Sequence, residues 1–168
     1  MVDFKNLRLL LFDVDGVMTD GGIYYDSTGC EQKKFNVKDG QICSVLKKEG
    51  YKLGIITGRN SSIVDKRFNE LGFDFIFQGV NNKVNTFKEI LKLSGFNANQ
   101  TVYVGDDIND IKLFELVGFS SCPNDAEDYI KDKVMFVAKS NGGKGVLREI
   151  ADLILRKTRN FDKIIMEY

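Results

Sequence analysis

Histidine is absent from this chain of 168 residues, and the absence narrows the possible chemistry sharply. A Ser-His-Asp triad, a Cys-His dyad and a histidine-ligated zinc are all excluded. Catalysis must then run on carboxylates, hydroxyls, lysines, thiols or a bound metal. Cysteine is scarce and scattered. Cys30, Cys43 and Cys122 form no Cys-x-x-Cys pair, so neither a thiolate metal site nor a disulfide framework is expected. All three are read as packing residues. A single proline, with no serine-rich, low-complexity or repeated segment, leaves no visible linker. An excess of charge is missing too: 24 Lys+Arg stand against 24 Asp+Glu, a formal net charge of zero. Nothing electrostatic therefore recruits nucleic acid or an anionic membrane, and neither is expected as a partner. No apolar run is long enough to span a bilayer. The start, Met1-Val2-Asp3-Phe4-Lys5, lacks the order of a secretory signal, so a cytoplasmic location is expected.

What is present suits a packed core, since 43% of the residues are hydrophobic, and the length fits one domain over residues 1–168. Arg8 to Asp13 is a short apolar run ending in an acidic, glycine-containing segment, the pattern of a buried parallel strand. Similar runs lie at Tyr51 to Thr57, Phe75 to Phe77, Thr101 to Val104, Phe119 to Cys122 and Val134 to Val137. Helices are predicted over Asp39–Glu49 with Asp39 as cap, Ser61 or Ser62 to about Leu71, Val84–Leu93, Ile108–Val117, a turn at Ala126–Lys131, and Val146 to about Arg156. Strands alternating with helices at this spacing predict an α/β fold, a doubly wound parallel sheet with right-handed crossovers. Residues of about 22–36, turning at Asp26-Ser27-Thr28-Gly29, form a projecting hairpin. The tail of about 158–168 mixes charge with Phe161, Ile164, Ile165 and Met166; it frays or docks on a partner subunit.

Ligands in open α/β sheets bind beyond the carboxyl ends of the strands. Three strands here end in reactive groups: Asp13-Val14-Asp15-Gly16, Thr57-Gly58-Arg59 and Gly105-Asp106-Asp107-Ile108-Asn109-Asp110. Asp13 and Asp15 suit a nucleophile and a general acid if a turn brings them to one centre; spacing alone fits a solvated pair equally well. Asp106, Asp107 and Asp110 crowd negative charge that a hard cation such as Mg²⁺ would relieve, or they cap the following helix. Thr57 and Gly58 suit a phosphate cradle, although alone they read as an ordinary strand-to-helix turn. Lys83 is a further candidate phosphate ligand, against the usual reading of a lysine as a surface group.

Taken together and in order, these motifs with Lys83 resemble the haloacid dehalogenase superfamily of phosphotransferases. The stretch Asp13 to Gly22, with Phe35-Asn36-Val37-Lys38-Asp39-Gly40, Phe77-Gln78-Gly79-Val80 and Gly142-Gly143-Lys144-Gly145, is similar to one subgroup, the 3-deoxy-D-manno-octulosonate 8-phosphate phosphatases. The resemblance runs from about Leu7 to Ile154. It implies a Rossmann-like core without a large cap, with Asp13 as nucleophile forming an aspartyl-phosphate and Asp15 as general acid and base. It implies Mg²⁺ held by Asp13, the Asp15 main-chain carbonyl and Asp106, with Asp107 and Asp110 supporting it from outside. It also implies phosphate binding by Thr57, Gly58 and Lys83. Similar proteins form homotetramers in which neighbours cover the site, and Tyr24, Tyr25 and Phe35 are candidates for such an interface, or for packing within the subunit.

The resemblance implies a sugar-acid phosphate as substrate. Arg59 is placed to clamp its carboxylate and Arg67 to assist; the plain reading of both is helix-surface charge. Similar proteins that act on nine-carbon keto acids often carry Glu where this chain has Arg59, so the resemblance implies the eight-carbon keto acid over the alternative substrates, N-acylneuraminate or KDN 9-phosphate. A phosphomutase, a receiver-type signalling domain and a non-catalytic protein of the same fold remain as other readings. A receiver, however, carries its paired acids early and its lysine late, the reverse of Lys83 before Asp106-Asp107.

Overall fold

The computed structural model describes residues 2–158 and 161–167. Its centre is β1 (Leu9–Phe12), every residue of which is buried. β1 pairs in parallel with β4 (Lys52–Ile56) on one side and β6 (Thr101–Val104) on the other, Phe12 lying opposite Ile55 and Val104. β5 (Phe75–Phe77), β7 (Phe119–Cys122) and β8 (Phe136–Val137) extend the sheet, whose order is β5-β4-β1-β6-β7-β8. The apolar run of β1 is continuous because both faces are covered. Leu10 and Phe12 enter one core cluster and Leu9 and Leu11 the other, as a side-chain period of two requires.

On the first face lie α1 (Val37–Lys48), α2 (Ser62–Glu70) and α6 (Val146–Thr158). In α6, Val146, Leu147, Ile150, Ala151, Ile154 and Leu155 are buried, a stripe at helical spacing that seals the sheet. Truncating Ile150 to alanine there costs about 2–5 kcal/mol. The second face carries α3 (Lys83–Ser94), α4 (Ile111–Phe114) and α5 (Asp128–Lys131). This is the doubly wound parallel sheet expected, with no large cap: the projection beyond it is the hairpin of β2 (Tyr24–Tyr25) and β3 (Glu31–Gln32).

Several expectations need correction. Asn36, not Asp39, caps α1, its side chain accepting from the Lys38 N–H at 2.9 Å. Asp39 instead turns inward and accepts the Arg148 N–H of α6 at 2.8 Å, so it serves the start of another helix. The helix expected over Ile108–Val117 shrinks to α4, because the preceding backbone winds around the Asp110 carboxylate. Cys30 is exposed, whereas Cys43 and Cys122 are buried as expected. In the tail, α7 (Phe161–Met166) folds back with Phe161 and Ile164 buried in the chain's own core, and the Arg156 guanidinium lies 4.0 Å from the Phe161 ring centre. Residues 159, 160 and 168 of that tail lie outside the described residues. Among the described residues no helix is long and apolar enough to cross a membrane.

Candidate active site

Asp13 continues β1 by one residue, its N–H donating to Val104 O at 2.9 Å. The chain then turns at once. The N–H groups of Val17, Met18 and Thr19 all point to Val14 O, which requires Gly16 at φ 87°. A β-carbon at Gly16 would stand 1.9 Å from Asp106 Oδ2, so a bare backbone is what lets the two acidic loops meet. The glycines before α6 support the turn from behind: Gly143 N–H donates to Val17 O at 3.0 Å, and a β-carbon at Gly142 would lie 2.1 Å from Gly16 O.

Because β1, β4 and β6 are neighbours, their ends converge. Asp13, Asp15, Thr57, Gly58, Arg59 and Asp106 line one open cleft of about 160 Å³, together with Asp107 and Asn109. Asp13 is buried. Its Oδ1 accepts the Val14 N–H at 2.6 Å and its Oδ2 pairs with Lys83 Nζ at 2.7 Å. Lys83 heads α3, where Asn82 caps the helix by accepting from Asn85 N–H, and the ammonium reaches back under the cleft. It also pairs with Asp110 at 2.7 Å and donates to the Tyr103 hydroxyl at 3.3 Å.

Asp110 is fully committed. Oδ1 takes Lys83 and the Tyr103 hydroxyl, and Oδ2 takes the N–H groups of Asp106 and Asp107 at 3.0 and 3.2 Å. Carboxylate oxygens of Asp13, Asp106 and Asp110 come within 4.8 Å of one another. Those of Asp110 already hold two donors each, which leaves Asp13 and Asp106 as the open pair. Asp106 Oδ1 is buried without a hydrogen-bond partner, a costly arrangement unless a cation completes it. The acidities agree. Burial, then the neighbouring Asp13 and Asp110 charges, push Asp106 up to about 8. Burial also pushes Asp13 up to about 6, with Lys83 opposing and Asp110 adding. Burial by itself lowers Lys83, but its contacts with Asp13 and Asp110 outweigh this and hold it above its ordinary value. A hard cation bound by oxygen fits this donor set.

Asp15 sits beside Asp13 on the rim. Its Oδ1 pairs closely with Lys33 of the hairpin and its Oδ2 lies 3.7 Å from Arg59 Nε. Arg59 also binds Glu31 at 2.7 Å and lies 3.4 Å from the Tyr25 hydroxyl. The Tyr25 and Glu31 contacts hold its guanidinium above its usual value. Arg67 does not come to the cleft. It packs between α1 and α2, 6.0 Å from the Phe35 ring centre and beside Gly40, which is where the helical spacing of α2 sends it. Phe35 meets Phe68 edge-on within the chain, so it too belongs to the interior. The residues that sequence reasoning left without a role are Tyr103, Asn109, Glu31 and Lys33; Ser61, expected at the head of α2, makes no side-chain cap there and instead donates to Glu31 at 2.6 Å. Tyr103 alone of the four carried a signal, as a hydroxyl-bearing ring in the middle of a buried strand.

The geometry has counterparts in known proteins. Residues 75–150 match the model of the haloacid dehalogenase-like hydrolases. A 3-deoxy-D-manno-octulosonate 8-phosphate phosphatase of Haemophilus influenzae is 37% identical over 90% of this chain and 84% of its own length. The chain belongs to the haloacid dehalogenase-like hydrolases. Within that family, the phosphatase of the same description from Yersinia pestis is 39% identical over 89% of this chain and 80% of its own. A crystal structure of the Moraxella catarrhalis phosphatase, in complex with a magnesium ion, a phosphate ion and KDO, superposes with a TM-score of 0.94 at 36% identity, covering 98% of this chain and 94% of that one. A cobalt-bound form from Haemophilus influenzae superposes with a TM-score of 0.87 at 37% identity, covering 91% and 90%.

Proposed function

We propose that this chain is a Mg²⁺-dependent phosphomonoesterase that hydrolyses 3-deoxy-D-manno-octulosonate 8-phosphate to the free keto sugar acid and phosphate. The observation that carries the reading is the Asp13 carboxylate, set at the end of the central strand between Lys83 and the unpartnered Asp106 oxygen. The relatives described above, over most of the chain, are named for that substrate. They do not favour the nine-carbon alternative, and family membership does not favour the receiver reading.

Asp13, through the oxygen that does not hold the Val14 N–H, attacks phosphorus and forms an aspartyl-phosphate. Asp15 gives its proton to the departing sugar oxygen, then takes one from the water that hydrolyses the intermediate. Lys83, Thr57 and the Gly58 N–H bind the phosphoryl oxygens as charge builds on them. Asp13, Asp106 and the Asp15 carbonyl would hold Mg²⁺, which neutralises phosphate charge. Asp107 and Asp110 fix the Asp106 loop, and Arg59 takes the substrate carboxylate in place of Glu31. Arg67 is too far round α2 to share that task. A homotetramer, with each chain one domain, is part of the proposal; the exposure of Ile23, Tyr24 and Tyr25 on the hairpin supports it.

Phosphate release from the eight-carbon and the KDN substrate, measured side by side, tests the reading. The expected result is preference for the eight-carbon ester, lost on chelation and lost by on the order of 10³ or more in Asp13→Asn, with the fold intact by circular dichroism. Release undiminished in Asp13→Asn would remove the assigned nucleophile.

A further inference from the structure

The hairpin reaches its own chain's cleft. Lys33, next after β3, has a side chain only 1% exposed, although both neighbours in sequence carry polar side chains and the hairpin as a whole is open to solvent. Its ammonium pairs closely with Asp15 Oδ1 and lies 3.7 Å from Glu31 Oε1. Glu31 in turn binds Arg59 at 2.7 Å and accepts from Ser61 Oγ at 2.6 Å. Arg59 returns to Asp15 Oδ2 at 3.7 Å. Four charges of alternating sign thus close a ring across three segments: the turn after β1, the turn after β4, and the hairpin.

Among the described residues, Lys33 is the one side chain within hydrogen-bond reach of the Asp15 carboxylate. Asp15 sits on a turn, a quarter exposed, and without Lys33 its carboxylate would keep only the longer ion pair with Arg59 at 3.7 Å. A group that must hand a proton to one leaving oxygen needs a fixed direction, since misplacement of about 1 Å is worth on the order of 10²-fold in rate. Burying an ammonium is costly unless it is paired, so a lysine kept from water at this point signals a demand for its charge. Its compact head with three donors can hold Asp15 and Glu31 together.

We infer that Lys33 is a positioning residue for the phosphatase reaction: it fixes the Asp15 carboxylate so that the acid faces the leaving alcohol. The inference rests on the phosphatase reading above and adds the hairpin to the reaction machinery. A residue that only anchored the hairpin would, on removal, slow every ester alike. A residue that positions the general acid matters in proportion to how badly the leaving group needs a proton. p-Nitrophenolate departs unaided, whereas a simple alkoxide does not.

The test is kcat/KM with Mg²⁺ for a series of substituted phenyl phosphates and one simple alkyl phosphate, none carrying a sugar or carboxylate. Wild type and Lys33→Met are compared. Because each preparation serves as its own control, the ratio between esters does not depend on how much of the variant is folded. The expected result is a loss of about 10- to 100-fold on the alkyl ester, a fraction of what a general acid supplies, with p-nitrophenyl phosphate within about 3-fold of wild type. The dependence of log(kcat/KM) on leaving-group acidity steepens accordingly. An equal loss across the series, or no loss, overturns the inference. A wild-type protein silent on every ester, the eight-carbon sugar phosphate included, overturns the phosphatase reading instead.

Discussion

Among the described residues, two lysines have side chains withdrawn from water against neighbouring aspartates, and they differ in what holds them. Lys83 projects from the head of a 12-residue helix and meets Asp13, Asp110 and Tyr103, all on the frame of the sheet. Lys33 projects from a hairpin whose ladder is two residue pairs long and meets Asp15 and Glu31. The chemistry of the pairs is alike, but the mechanical support is not. A helix docked on a six-stranded sheet opens only when the domain does, whereas a two-pair hairpin sits at the low end of local stability. The proposed nucleophile is therefore built into the rigid part, and the proposed acid is tied to the part able to move.

The most damaging way to break this comparison is Lys83→Met. It strands the Asp13 and Asp110 carboxylates together in a buried site. Loss of a buried partner costs about 3–5 kcal/mol, read by urea denaturation of the metal-free protein, and kcat falls on the order of 10²–10³ with the phosphate contact. Stability unchanged by Lys83→Met would mean that the inner cluster is no more rigidly built than the outer.

A buried carboxylate with no lysine sharpens the contrast. Asp39 accepts one N–H and has a second oxygen, Oδ2, buried without a partner. Burial pushes it up to about 6 from the usual 3.8, opposed by the Arg148 N–H bond and by the Arg67 and Arg148 charges; Cys43 packs against its backbone. The folded state thus binds this proton more tightly than the unfolded chain does. Its stabilising contribution is complete below 3.8 and is lost as the pH rises through about 6. Asp39→Asn is expected to be more stable than wild type at pH 8 by about 1–3 kcal/mol, with the gain gone by about pH 4. Thermal melts across that range check it, and a gain that persisted at low pH would point to a cause other than ionisation.

The smallest effect belongs to the rim. Glu31→Gln weakens contacts with Arg59 and Ser61 in a partly solvated place, where such pairs are worth about 1 kcal/mol or less. Global stability should hardly change, while hydrogen exchange quickens in the hairpin alone. Exchange that quickened in β1 as well would show the hairpin to be part of the frame.

The same contrast marks what could be read in the amino-acid order. The sheet was legible because buried parallel strands are continuous apolar runs, and Asp13, Thr57 and Asp106 could be placed together because each follows such a run. The inner cluster was partly legible: Asp110 and Lys83 were visible as residues, but their mutual pairing depends on α3 packing against α4 and β4. The outer ring was half legible: Asp15 and Arg59 stood out as residues, whereas their hairpin partners did not. Lys33 and Glu31 lie in a polar stretch whose residues look like any solvated hairpin, and only tertiary contact removes one of them from water. Asp39 misled for a related reason, since an acid at the head of a helix is ordinarily its cap, and here Asn36 took that position. Arg67 misled because Arg59 lies on the turn before α2 and Arg67 on the helix itself, where it faces Phe35.

The glycine contact behind the active-site turn has a consequence for how the protein comes into being. Gly142 and Gly143, near the start of the last long helix, lie directly against Gly16 and Val17, which the ribosome makes far earlier. β1 likewise waits for β4 and then for β6, its partners on either side. Contacts between such distant stretches form late and slowly. A nascent chain can thus display the Asp13 motif for most of its synthesis without a site to put it in. The turn that carries Asp13 and Asp15 is backed only once the segment before α6 has folded against it.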